Sequence, residues 1–134
     1  MNISHFVHKK PEAVFAYLSD MQKFVGVHPI IYKMVDLGQG NYQVYERLPL
    51  GFTSFSFNYP VTVKSQREGL VVTMNADVMK LAMIEMKFVI EPDGDSSVVN
   101  ETVQIATSFP LKAFIWKECV RHHTRLFKNI ALAE

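Results

Sequence analysis

From Ile30 to Phe109 apolar and polar residues alternate with a period of two, and turn signals interrupt the alternation at short intervals. The interruptions are Gly38-Gln39-Gly40-Asn41, Pro49-Leu50-Gly51, Arg67-Glu68-Gly69, Val78-Met79-Lys80 and Pro92-Asp93-Gly94-Asp95. They predict six strands, near 31–37, 42–48, 53–65, 70–78, 82–91 and 97–109. Connections this short join antiparallel neighbours, because a parallel crossover needs about a dozen residues or more. The strands therefore form a meander. Upstream, Asn2 to His8 mixes β-formers with polar residues and reads as one further strand. Lys10-Pro11-Glu12 then reads as a helix start, since proline suits the first helical turn and an acid there complements the helix dipole. Val14, Phe15, Leu18 and Met21 follow at helical spacing. Asp20 is placed to cap a second short helix ending at Gly26.

The alternation also assigns faces. Phe55, Phe57, Tyr59, Val61 and Val63 share one side of their strand. Leu70, Val72, Met74, Ala76 and Val78 share a side of the next, and Ala82, Ile84, Met86, Phe88 and Ile90 of the one after. The last strand contributes Val99, Glu101, Val103, Ile105 and Phe109. Opposite faces carry Ser54, Ser56, Asn58, Thr73, Asn75, Lys87 and Gln104, so one side of the sheet faces a core and the other water. Pro110 opens a helix of about twenty residues. On a wheel of 100° per residue, Ile115, Trp116, Cys119, Val120, His123, Leu126, Phe127 and Ile130 fall in one apolar arc, with Lys117, Arg121, Arg125 and Lys128 opposite. That arc must be buried, and the large apolar surface available is the inner face of the sheet. The basic stripe reads as a solvated outer face rather than a lipid-docking one.

Length and composition add limits. At 134 residues, 49% hydrophobic and 20% charged, the chain suits a single domain over 1–134 with one core. Fourteen basic residues against thirteen acidic ones leave +1, without the basic excess of a nucleic-acid binder. No apolar run is long enough to span a bilayer, so stable membrane insertion is not expected. Met1 to Glu12 has no apolar segment behind a basic start, unlike a signal peptide, and the cytoplasm is the expected location. Cys119 is the single cysteine, which rules out an intrachain disulfide and a Cys-based zinc site. No metal site is expected either. His5 and His8 sit three apart on a strand and point to opposite faces, and adjacent His122 and His123 diverge by 100° on a helix. No cofactor is called for, because Gly38-Gln39-Gly40 is a hairpin turn without a phosphate-loop or dinucleotide sequence after it.

The order strand, two short helices, six-strand meander, long helix resembles the START-like, Bet v 1-like superfamily, which includes polyketide cyclase/dehydrase and lipid-transport proteins. Pro11-Glu12-Ala13-Val14-Phe15-Ala16-Tyr17-Leu18-Ser19-Asp20 resembles that family's first-helix segment. His28-Pro29 falls where many small members carry a short histidine–proline pair, and Phe114 to Ile130 is similar to the closing helix. The resemblance covers essentially the whole chain, through motifs that specify packing and turns rather than chemistry. It implies an α+β helix-grip fold, a curved seven-stranded antiparallel sheet with two short helices and a long C-terminal helix. It also implies a cavity between sheet and helix, used across the family for lipids, sterols, hormones and polyketides. Some members catalyse cyclisation and many only bind or carry.

On that expectation the ligand-facing set is Phe55, Phe57, Tyr59, Met74, Met86, Phe88, Trp116, His123 and Phe127, whose aromatic and flexible side chains suit an apolar ligand; taken singly each also suits a filled core, and it is the resemblance that favours a cavity for the set. His123, central in the apolar arc, is either a polar anchor or acid/base facing a cavity, or a core histidine bonded to a sheet residue. Glu101 breaks an apolar row. It either pairs with His123 across the cavity or sits on a β-bulge that turns it outward. Glu46 is read as an exposed cross-strand partner, His28 as a turn cap before Pro29, His122 as half-exposed, and Cys119 as a small core residue. The apolar tip Met79-Lys80-Leu81-Ala82-Met83 either tucks against the helices, lines the cavity mouth or meets a partner. Three functions follow: carriage of a hydrophobic small molecule; a cyclase/dehydratase-type enzyme with His123 and Glu101 as acid and base; or an interaction module working through the Met79–Met83 tip.

Overall fold

A computed structural model describes residues 1–133. Its elements run β1 (Asn2–Val7), α1 (Pro11–Ser19), α2 (Met21–Val27), β2 (Ile31–Gly38), β3 (Asn41–Leu50), β4 (Thr53–Gln66), β5 (Val71–Val78), β6 (Ala82–Asp93), β7 (Ser96–Ala106) and α3 (Phe109–Leu132). The strands form one antiparallel sheet in the order β1-β7-β6-β5-β4-β3-β2. This is the meander expected from the alternation, extended by β1 along the free edge of β7. The two short helices join β1 to β2, and α3 closes the structure, giving the helix-grip architecture.

Local chemistry accounts for the boundaries. Pro11 opens α1, and the Asp20 side chain caps α2 by accepting from the backbone N–H groups of Gln22 and Lys23. In the β2–β3 hairpin Gly40 has φ +80, and a Cβ there would lie 2.8 Å from the Val63 carbonyl oxygen. The β5–β6 turn places Met79 and Lys80 in the left-handed region, at φ 54 and 59, where glycine or asparagine is the usual occupant. Pro60 is tolerated inside β4 because β5 pairing begins only at Val61, so no ladder bond is lost on that side. The last strand stops earlier than its apolar row suggests. Pairing ends at Met83 with Ala106 because β6 begins at Ala82. Phe109, expected to point inward from the strand, is instead the first residue of α3 and is 82% exposed.

The core lies between the concave face of the sheet and the three helices. Val14, Phe15, Leu18, Met21 and Phe24 pack from α1 and α2 against Val72, Met74, Phe88, Ile90 and Val99 of the sheet. The closing helix does not lie along the sheet over its full length, as its apolar arc implies. Only its C-terminal half is core: Leu126, Phe127 and Ile130 are buried, whereas Phe114 is exposed and Ile115 and Trp116 are half-buried. The N-terminal half stands over a void. No helix among the described residues is long and apolar enough to cross a membrane.

Candidate functional site

That void is a cavity of about 290 Å³ enclosed by β2 to β6, α2 and the N-terminal half of α3. Phe55, Phe57, Tyr59, Met74, Met86, Phe88 and His123 lie along it. Trp116 and Phe127 of the expected ligand-facing set lie outside the lining. Phe127 packs instead on the His5 ring, with centroids 4.2 Å apart, and on Phe88 at 5.9 Å. In their place α3 presents Leu111, Phe114, Ile115, Glu118, Cys119 and His122. Leu50, Phe55, Met79, Leu81 and Phe114 line the cavity and are each at least two-fifths exposed, so they form its mouth. The Met79–Leu81 tip is therefore at the opening and not tucked against the helices.

His123 lines the cavity, and behind it Glu101 and His5 form a buried polar cluster outside the lining. Period-two alternation turns Ile3, His5 and Val7 of β1 inward, and in β7 it does the same for Val99, Glu101 and Val103. The β1–β7 register sets Ile3 opposite Glu101, with His5 the next inward residue along β1, and no bulge interrupts it. Glu101 is therefore 1% exposed, not turned outward. One carboxylate oxygen accepts from His5 Nε2 at 2.9 Å and the other from His123 Nδ1 in a short bond. Burial alone would raise the Glu101 pKa, but the charge of His123 and the bonds from both histidines hold it below the ordinary value. For His123 burial pulls down, and the neighbouring Glu101 and Cys119 together overcome it and raise the pKa well above the ordinary value. The pair is a buried imidazolium and carboxylate, with His5 as the second arm of the carboxylate.

Other polar groups adjoin it. His28 Nδ1 accepts from the backbone N–H groups of Ile30 at 3.2 Å and Ile31 at 3.0 Å, the turn-capping role read from sequence, yet the ring also borders the cavity. Burial, then the charges of His123 and His122, push its pKa well down, so His28 is neutral. Glu46, read as an exposed cross-strand partner, instead faces the cavity and accepts from the Tyr59 hydroxyl at 2.5 Å. Burial raises its pKa, partly offset by that bond, and raises the Tyr59 pKa much further. His122 is buried, not half-exposed, and bonds Glu118 through Nε2 at 2.9 Å. Cys119 lines the cavity with Sγ 4.0 Å from each ring nitrogen of His123.

Glu101, Cys119 and His123 bring three possible metal-ligand atoms within 4.8 Å of one another. The set satisfies itself without an ion: both Glu101 oxygens already accept from imidazoles, and His123 Nδ1 is turned to one of them. A metal would have to displace those bonds. Sequence reasoning missed His5 entirely, although the inward parity of Ile3, His5 and Val7 was available as a signal. The same parity, shared with the buried Val44 and Leu48, was available for Glu46, whereas the cavity face of Glu118 had no such signal.

No family model matches the sequence, and no curated protein is similar to it by sequence. Solved structures are similar in fold. Ara h 8.0201 superimposes with a TM-score of 0.77 at 14% identity, over 98% of this chain and 93% of the other. TTHA0849 from Thermus thermophilus gives 0.72 at 12% identity, over 98% and 93%. The Zhui aromatase/cyclase from Streptomyces sp. R1128 gives 0.65 at 10% identity, over 97% and 92%. The architecture these proteins share with this chain is the helix-grip fold expected from its element order.

Proposed function

We propose that this protein binds or carries a hydrophobic small molecule in the cavity between the sheet and α3. The observation that carries the proposal is the cavity itself: about 290 Å³ bordered chiefly by aromatic, aliphatic and methionine side chains, with its few polar groups gathered at their own positions. A void of this size left unfilled forfeits dispersion contacts along its whole lining. Retention of such a void is explained if a guest restores them. An apolar mouth at Leu50, Phe55, Met79, Leu81 and Phe114 gives that guest a route without a polar barrier. The fold shared with an aromatase/cyclase and with Ara h 8.0201 agrees with this reading.

The cyclase/dehydratase-type alternative asks Glu101 to exchange a proton with a substrate. Both its oxygens are occupied by His5 and His123, which favours an electrostatic role in holding His123 charged over a role as base. Native mass spectrometry of the purified protein, followed by uptake of a fluorescent apolar probe, tests the binding reading. The expected result is a stoichiometric apolar adduct or saturable uptake at one site per chain. A chain that retains nothing and takes up nothing would overturn it.

A further inference from the structure

Two imidazoles lining the cavity each commit Nδ1 and turn the opposite ring edge away from that partner. The two backbone N–H groups donating to His28 Nδ1 require that nitrogen to be unprotonated, which puts the ring proton on Nε2 at the opposite edge. No group among the described residues accepts from that Nε2–H. His123 turns Nδ1 to Glu101, leaving Nε2 as its second edge. The nearest protein group there is Cys119 Sγ, equidistant at 4.0 Å from both ring nitrogens and therefore off the direction of either N–H. The two rings stand edge to face with centroids 6.5 Å apart. That separation leaves room for one oxygen atom to accept from both at ordinary lengths of about 2.9 Å.

Resting on the binding function proposed above, we infer that the ligand is a hydrophobic carbonyl compound whose oxygen accepts hydrogen bonds from Nε2 of His28 and Nε2 of His123. A carbonyl accepts two bonds and brings no proton that would itself need an acceptor. A hydroxyl would bring one. A carboxylate would bring a further negative charge into a chamber that Glu46 and Glu118 already face, with Glu101 behind His123, and desolvating it would be costly. The same geometry disfavours a metal, since His28 Nε2 carries the proton and has no free lone pair to give.

Three probes on one skeleton test this by calorimetry with the wild-type chain: fluorene, 9-fluorenone and fluorene-9-carboxylate. Binding of fluorene tests the cavity alone. Fluorenone is expected to bind about tenfold tighter than fluorene, as two modest hydrogen bonds allow, with the carboxylate weaker than the ketone. The carbonyl stretch of bound fluorenone is expected at lower frequency than in hexane, a readout that needs no variant. In His28→Asn, whose shorter side chain keeps an acceptor for the turn, both the affinity advantage and the frequency shift should shrink. Equal affinity for fluorene and fluorenone with a hexane-like stretch would overturn the carbonyl site and leave the cavity reading standing. Tightest binding by the carboxylate would also overturn it. Binding by none of the three would overturn the cavity reading and this inference with it.

Discussion

Glu101→Gln removes one charge and almost no volume from a side chain that is 1% exposed. The substituted amide can still accept from one histidine, but its nitrogen faces the other as a donor. His123 then loses the counter-charge that keeps it protonated. Breaking one side of a buried pair costs about 3–5 kcal/mol, and the retained hydrogen bond returns about 1 kcal/mol, so the expected loss at pH 7 is about 3 kcal/mol. With an unfolding entropy of about 0.3 kcal/mol/K for 134 residues, the melting temperature should fall by about 10 °C. The loss should depend on pH in a defined direction. In the wild type His123 stays protonated above its unfolded value of 6.5, so its stabilisation is complete below pH 6.5 and fades as pH rises through the higher folded value. In the variant a buried neutral His123 resists protonation, so stability declines as pH drops below about 6.5. The gap between the two proteins should therefore be widest near pH 5 and narrow steadily toward alkaline pH. Urea denaturation at several pH values measures the gap, and NMR titration of the His123 ring reports its protonation directly. A loss under about 1 kcal/mol with no pH dependence would refute the imidazolium–carboxylate assignment.

Four further outcomes are expected. His28 has a depressed pKa, so the unfolded chain takes up a proton below pH 6.5 that the folded chain refuses; wild-type stability should fall by up to about 1.4 kcal/mol per pH unit on that account, and His28→Asn should flatten this limb in acid denaturation curves. Ala76→Phe places a ring in the cavity from β5; probe uptake should be lost while denaturant stability stays within about 1 kcal/mol of wild type, because the ring extends into the open space of the cavity. Gly40→Ala forces a Cβ to 2.8 Å from the Val63 carbonyl at φ +80, and thermal unfolding should show a loss of about 2 kcal/mol or more. Lys80→Gly relieves a left-handed φ of 59 in the β5–β6 turn and should raise stability by about 0.5–1 kcal/mol in the same assay.

The parts of the fold legible from sequence were those with local periodicity. Alternation located the six meander strands to within a few residues, β-forming residues marked β1, and Pro11 and Asp20 marked the helix starts, because these signals act through the backbone of neighbouring residues. Parity also put Glu101 in the inward row of β7. The partners of Glu101 were less legible. His5 meets it only because β1 pairs with β7, and no turn or spacing announces a contact between strands at opposite ends of the chain. Glu46 finds Tyr59 diagonally across the β3–β4 ladder, where its register pairs it directly with Phe57. The helix wheel treated α3 as one uniform stripe, which took in Trp116 and left out Glu118. Because only the C-terminal half is seated on the core, the overhanging half shows a different set of residues to the cavity.

The pairing of β1 with β7 has a kinetic side. β2 to β7 are joined by tight hairpins and can zip in sequence, each closing a short loop. β1 cannot join until β7 is formed, and the His5–Glu101 bond links residues 96 positions apart. Contacts of such separation are slow to form because loop closure must precede any gain from them. Until β1 docks, Glu101 lies at an open sheet edge, hydrated and without its His5 arm. Glu101 and His123 can meet within the last third of the chain, but the His5 arm and the full burial of the pair wait until the two ends of the chain have met.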